Sequence, residues 1–458
     1  MPDTVSDRIQ KEIDSELIIR KILWHILPFL FLLYVVAYLD RVNISFAALQ
    51  MRQQLGLSDE AYGLGAGLFF AGYLIFQVPS NLILQRVGAR RWISALMIVW
   101  GSISSSMMFV NNAGGLYSLR FLLGAAEAGF FPGVLFYFRS WIPAQARARV
   151  IAMFLTAGPV SGIIGGPISG ALLGLHGILR LAGWQWLFLL EGIPAVFLGA
   201  AALRFILDRP EIATWLSPSE RNWLMNKLSE EDPSRKATST PLRGGSAARV
   251  TPSFGRSTKS RFFDLFVDPR IWSFAFAYFC LNTCAYGITL WLPIVVRSVS
   301  GVSDFVLGLL STIPYLAAVV VMVAFGRHSD RTGDRRWHTA GAASFSACAM
   351  FVAGYCHSAV ALLCAFTLGM AGVQSMAGTL WAMSYGGFSG STAAVGIAVI
   401  NSLGNLGSGF GPYWIGRMRT ATGEFSKGLW SISAILAVAA VVVILVPLSL
   451  SALKRQAL

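Results

Sequence analysis

Twelve stretches of about 20 predominantly apolar residues punctuate this chain, and that is the length an α-helix needs to cross the hydrocarbon core of a bilayer. They run roughly over 24–49, 61–84, 92–110, 114–138, 149–174, 184–207, 270–296, 303–326, 338–356, 358–385, 391–416 and 428–450. Backbone polar groups find no water in lipid, so each stretch is expected to fold as a helix, and the fold class as an all-α membrane protein. Composition agrees, at 55% hydrophobic against 13% charged residues. Residues 1–22 are polar and charged, which makes the apolar runs spans and not a cleaved leader.

The connections alternate in charge. Lys and Arg gather at the N-terminus (Arg8, Lys11, Arg20, Lys21), the even loops and the C-terminus, and are sparse in the odd loops. The positive-inside rule then puts both termini in the cytoplasm of a multi-pass cell (inner) membrane protein. Much of the +14 net charge is thereby topological and lipid-facing, and no nucleic-acid partner is needed to explain it. The five cysteines lie in or at the ends of apolar runs without His neighbours at ligand spacing, so neither a disulfide framework nor a metal is expected.

The expected organisation is a cytoplasmic segment 1–23, a six-helix half 24–207, a linker 208–269, a second six-helix half 270–450 and a tail 451–458. Within the linker, Ser217, Pro218 and Glu220 form a capping box opening a short amphipathic helix, expected to lie on the membrane surface. Residues 229–261 are rich in Ser, Thr, Gly, Pro, Lys and Arg without apolar periodicity, and read as disordered. The halves repeat. Gln85-Arg86-x-Gly88 matches Asp330-Arg331-x-Gly333, and Pro167 matches Pro412, each pair 245 residues apart. Parallel repeats place a substrate site between the halves near the midplane.

Charges inside the spans carry the functional signal, because ionisable groups in the bilayer interior mark ion and substrate paths. Asp40 and Arg41 stand together in "YLDRVNISFA", and Arg120 and Glu127 occupy the fourth span. Seven residues bring Arg120 and Glu127 to one helix face about 10 Å apart, too far for a tight pair, so each needs a partner elsewhere, for which Asp40 and Arg41 are candidates. Adjacent residues diverge by about 100°, so Asp40 and Arg41 face different neighbours. A carboxyl in a low-dielectric site can load and release a proton whereas Arg stays charged, which makes the acids proton carriers and the arginines anion anchors. Glu191, on the sixth span, is read as bonding to a neighbouring helix in preference to a transport role. The second half offers neutral groups: Asn282, Tyr286, Gln374, Ser375, Trp381, Asn401 and Asn405. Glycines such as Gly63, Gly67 and Gly166 suit close helix approach.

"GRHSDRTGDRR" resembles the loop signature of the major facilitator superfamily, G-x-x-x-D-R-x-G-x-R-R; the earlier copy "NLILQRVGARR" departs from it at Gln85 and Asn81. "YLDRVNISFA", "RFLLGAAEAGFFPG", "GWQWLFLLEGIPA" and "INSLGNLGSGFGP" together resemble the anion:cation symporter family, above all its bacterial transporters for tartrate and related acids. That resemblance implies twelve helices in two pseudo-symmetric halves. It also implies protonation at Asp40 and Glu127, a coupling role for Arg120, substrate contact at Arg41, and a cavity lined by Tyr38, Tyr73, Trp381 and Asn401. Arg86, Gly88, Arg90, Asp330, Arg331, Gly333 and Arg335 would be gating-motif positions. The function expected is proton-coupled uptake of a small organic anion by alternating access, by a monomer without cofactor. A carboxylate exchanger and a non-transporting sensor stay open as alternatives. An enzyme is not expected, since no nucleophile–base pair, metal set or phosphate loop is present.

Overall fold

The computed structural model describes residues 5–231, 268–387 and 391–446; most of the expected disordered linker and the tail 451–458 lie outside them. Among the described residues the chain is helical and crosses the membrane twelve times. The first span is Val5–Val42 continued by Ile44–Gln54, the second Asp59–Val87, the third Ala89–Ser106, and the fourth Ala113–Glu127 with Phe130–Trp141. The fifth is Ala144–Leu155 with Ala157–Leu173, and the sixth Gly183–Phe205. The seventh to twelfth are Pro269–Val299, Asp304–Leu310 with Ile313–Thr332, Arg335–Ala353, Ala359–Gly387, Ser391–Thr422 and Phe425–Leu445. Ten of these crossings are long and apolar enough to span a bilayer on their own; Arg335–Ala353 and Ser391–Thr422 complete the set. The ninth is weakly apolar because it is built from Ala, Ser and Gly, and it uses them for packing. Ser346 Oγ donates to the Gly369 carbonyl at 3.0 Å, and Ser433 Oγ donates to the Ala347 carbonyl at 2.7 Å. Small and hydroxylated residues hold helices together in lipid, where burial of apolar surface cannot.

Several spans are broken, two of them beside a proline. Pro132 opens the second piece of the fourth span and Pro314 that of the eighth, positions where a missing N–H costs little. The first span breaks at Asn43 with no Pro or Gly there, three residues after Asp40.

An even number of crossings puts both chain ends on one face. Toward the opposite face the halves close on each other through two crossings related by the repeat. A Cβ at Gly63 of the second span would meet the Pro412 carbonyl oxygen of the eleventh at 2.6 Å. A Cβ at Gly308 of the eighth would meet the Gly166 carbonyl oxygen of the fifth at 2.2 Å, beside Pro167. Gly63 and Gly308, like Pro167 and Pro412, stand 245 apart, so one Gly-to-Pro contact occurs twice. The crossings are latched by charge in the same duplicated way. Asp59 pairs with Arg52 of its own half and with Arg419 of the other at 2.9 Å. Asp304, 245 residues on, lies 3.4 Å from Arg297 of its own half and accepts from Gln50 Nε2 of the other at 3.1 Å. Arg417 with Glu60, at 3.0 Å, and Tyr62, whose hydroxyl donates to the Leu290 carbonyl at 2.8 Å, add further links on this face.

On the terminus-bearing face the two motif loops find partners within their own halves. Gly88 and Gly333 take positive φ, 86° and 68°, so both turns need glycine. Arg335 lies 3.5 Å from Asp330 and donates to the Ala382 carbonyl at 3.2 Å. In the first copy Gln85 cannot pair, and Asp208 from beyond the sixth span comes within 3.8 Å of Arg90 instead. Arg90 Nε also donates to the Leu203 carbonyl at 2.6 Å.

The capping box forms: Glu220 accepts from Ser217 N–H at 2.7 Å, and Ser217 Oγ accepts from Glu220 N–H at 3.2 Å. The helix it opens, Pro218–Glu231, buries Leu224 and Leu228. It is also tied to protein: Lys21 pairs with Glu220 at 2.7 Å and Arg147 with Glu231 at 2.9 Å. The Lys21 ammonium and the Ser217 amide hold the Glu220 carboxyl below its ordinary range. The surface helix thus docks on the first and fifth spans.

Candidate functional site

Asp40 and Arg41 close the long piece of the first span, and the helix geometry turns them to different neighbours as the 100° rule requires. Arg41 turns to the fourth span. Its Nη2 lies 2.8 Å from Glu127 Oε2, and the side chains are 14% and 1% exposed. Its guanidinium also lies over Phe69 and Tyr73 of the second span, 5.3 and 5.4 Å from the ring centroids. Arg120, about two helical turns before Glu127, is fully buried, with its guanidinium 5.0 Å from the Phe69 ring and Nη2 3.4 Å from the Arg41 carbonyl. The Phe69 ring therefore has two cations within cation–π reach.

Asp40 turns the other way. It is 0% exposed, and its Oδ1 accepts from Ser104 Oγ of the third span at 2.7 Å; Oδ2 has no hydrogen-bond partner among the described residues. Glu127 thus holds Arg41, while Asp40 sits behind it against Ser104. The reason is the helix angle between adjacent residues, with the fourth span on one side and the third on the other.

Close packing makes this cluster possible. A Cβ at Gly124, between Arg120 and Glu127, would lie 1.8 Å from the Phe69 carbonyl oxygen, so glycine lets the fourth span press against the second. Arg41 Nε, Arg120 Nε and Nη1, and Glu127 Oε1 are buried without hydrogen-bond partners among the described residues. A site so charged and so incompletely paired has spare capacity for hydrogen bonding with an anion.

Across the interface, Tyr38 of the first span joins Tyr278, Asn282, Tyr286, Tyr315, Gln374 and Trp381 in lining a cavity of about 160 Å³. Tyr286 packs edge-on against Phe70, linking this cavity to the second span beside Arg41. Of the expected cavity residues, Tyr38 and Trp381 line it and Tyr73 covers Arg41. Asn401 does not border it; from the eleventh span it is the Gly404 carbonyl that approaches, accepting from Asn282 Nδ2 at 3.1 Å. Tyr278 and Tyr315 were not distinguishable in sequence from the tyrosines that pack any membrane interior.

Two like halves, a duplicated crossing on one face and a buried charged cluster form the architecture of a known family. The sequence profile described as Major Facilitator Superfamily matches residues 30–412. The chain belongs to that superfamily. It is a membrane transporter and not an enzyme. A protein of Agrobacterium vitis named "Putative tartrate transporter" is 44% identical over 428 residues, which cover 93% of this chain and 91% of that one. The "Quinolone resistance transporter" of Acinetobacter baumannii is 37% identical over 443 residues, 96% of this chain and 97% of that one. Among solved structures, a bacterial homologue of the human lysosomal transporter Spinster, in an inward-facing and unoccupied conformation, superimposes with a TM-score of 0.76 at 17% identity, covering 95% of this chain and 98% of that one. That last likeness speaks to the fold alone.

Proposed function

We propose that this transporter couples inward movement of a small organic anion to protons, with Arg41 as the anion anchor and Glu127 as its exchangeable partner. The observation that carries the reading is the buried Arg41–Glu127 pair at 2.8 Å. An arginine cannot lose its proton, so it keeps its charge through the cycle. Breaking a buried pair by removing one charge is costly, at about 3–5 kcal/mol, unless another anion replaces it. A substrate carboxylate is such an anion. Protonation of Glu127 releases Arg41, the substrate takes it, and charge inside the membrane stays balanced while the halves move.

With both termini cytoplasmic, as the charge of the loops supports, the conformation is inward-open: the latched crossings close the outer face. The cycle then follows. Facing outward, Asp40 and Glu127 carry protons and Arg41 binds the anion, with Tyr73 over the guanidinium and Tyr38, Tyr286, Gln374 and Trp381 meeting its other groups. The halves rock until the Gly63–Pro412 and Gly308–Gly166 contacts close and the Asp59 and Asp304 latches form. Protons leave to the cytoplasm, Glu127 retakes Arg41, and the anion is displaced. Loss of the latches and engagement of the motif loops across the halves would favour the outward-open state. The tartrate transporter name of a 44% identical relative supports a hydroxylated dicarboxylate as the first substrate to try.

The test is uptake into vesicles. Asp40→Asn is expected to abolish tartrate accumulation driven by a pH gradient while leaving tartrate counterflow intact; accumulation at the wild-type level by that variant would sink the coupling. Trans-stimulation without pH dependence would favour a carboxylate exchanger instead.

A further inference from the structure

The cycle above leaves one buried acid unused. Glu191 of the sixth span is 5% exposed, and its Oε1 accepts from Ser169 Oγ of the fifth span at 2.8 Å. Its Oε2 has no hydrogen-bond partner, and no ion pair with Lys, Arg or His forms within 4.0 Å among the described residues. The Asn43 amide faces it from the break in the first span. Asn43 is 1% exposed, and neither Nδ2 nor Oδ1 makes a hydrogen bond of ordinary geometry. Although Asn43 stands at the start of the helix Ile44–Gln54, its side chain does not cap it.

We propose that Glu191 is a further proton-bearing carboxyl of the transport cycle, acting with Asp40 on the two sides of the first-span break. The inference rests on the proton-coupled reading above. A buried carboxylate without a cation is a poor resident of the bilayer interior, so the uncompensated acid is expected to hold a proton in part of the cycle. Asn43 is suited to follow that proton. Its Nδ2 can donate to the carboxylate and, with the amide turned over, its Oδ1 can accept from the acid, so it serves both states. Because Asn43 is the residue at which the first span changes from one helix to the next, a change of partner there acts on the helix that carries Asp40 and Arg41. The nearest acidic group on the first span is Asp40, three residues before Asn43. The hydrogen-bond partner of Glu191 on the fifth span, Ser169, is not ionisable. Glu127 is already held by Arg41, so Asp40 and Glu191 are the two acids of this half that combine burial in the membrane with no cationic partner.

The experiment measures protons moved per tartrate in proteoliposomes, from the pH gradient that balances a known tartrate gradient. Glu191→Gln is expected to keep thermal stability and counterflow, lower the ratio by one proton and flatten the pH profile of uptake; Glu191→Asp is expected to restore both. A folded Glu191→Gln protein with the wild-type ratio and profile overturns the proposal and leaves Glu191 a structural hydrogen-bonding group. If Glu191→Gln does not fold, Ser169→Ala decides. Removing the one hydrogen bond to the carboxyl is expected to move the uptake profile along the pH axis, and an unmoved profile overturns the proposal. Absence of pH-driven uptake in the wild type would be a different failure, that of the coupled reading itself.

Discussion

Arg41→Ala is expected to lose tartrate binding by about 30-fold or more, read by titration of the purified protein. The estimate follows from the cost of removing one partner from a buried charge pair, about 2–5 kcal/mol, at 1.4 kcal/mol per tenfold. Arg41→Lys is expected to recover only part of it, because an ammonium cannot present the planar fork that meets a carboxylate and lies against Phe69 and Tyr73. Wild-type affinity in Arg41→Ala would remove Arg41 from the site. Arg120→Ala tests a different role. Its guanidinium lies against Phe69 and the Arg41 carbonyl, so its loss should act through the position of Arg41.

The second large effect concerns the gate. Gly308→Ala would put a methyl group 2.2 Å from the Gly166 carbonyl oxygen, 2.8 Å from its carbon and 3.3 Å from Pro167 N, all backbone atoms that cannot turn aside. Overpacking of this kind costs about 1–3 kcal/mol. Applied to one conformation only, that shifts the balance of states about 5–150-fold toward the outward-open side. Transport is expected to fall by at least tenfold with binding retained. Gln50→Cys, which reports on the partner of Asp304, should become more reactive from outside in the Gly308→Ala background. Unchanged labelling and transport would mean that this crossing does not gate.

Much of this was legible in sequence, for reasons that differ by element. Spans announce themselves because lipid imposes length and apolarity together, whereas proline alone does not mark the breaks: Pro79, Pro167 and Pro412 sit inside unbroken helices. The break at Asn43 has no proline beside it. Four intramembrane charges pointed to the Arg41–Glu127 cluster, since each is too costly to be incidental. That Asp40 bonds Ser104 was not readable, because the third span offers Ser102, Ser104, Ser105 and Ser106 in "GSISSSMM" and only packing selects among them. The duplicated outer latch was within reach. Arg52-x-x-x-Gly56-x-Ser58-Asp59 and Arg297-x-x-x-Gly301-x-Ser303-Asp304 stand at the same 245-residue offset as the loop motifs, and both serines cap the helices that follow. The Asn401 position shows the converse limit: a resemblance carries a residue type to a position, but the register of the eleventh span against the seventh decides whether it borders the cavity.

Exchange of Glu127 for a substrate carboxylate at Arg41 is tested most directly by tartrate affinity as a function of pH. Wild-type affinity is expected to strengthen as pH falls, by up to about tenfold per pH unit while one proton is taken up with the anion. Glu127→Gln, which leaves Arg41 permanently without its partner, is expected to bind tightly at every pH. A wild-type affinity that does not change with pH, or a Glu127→Gln protein that keeps the wild-type dependence, would contradict it.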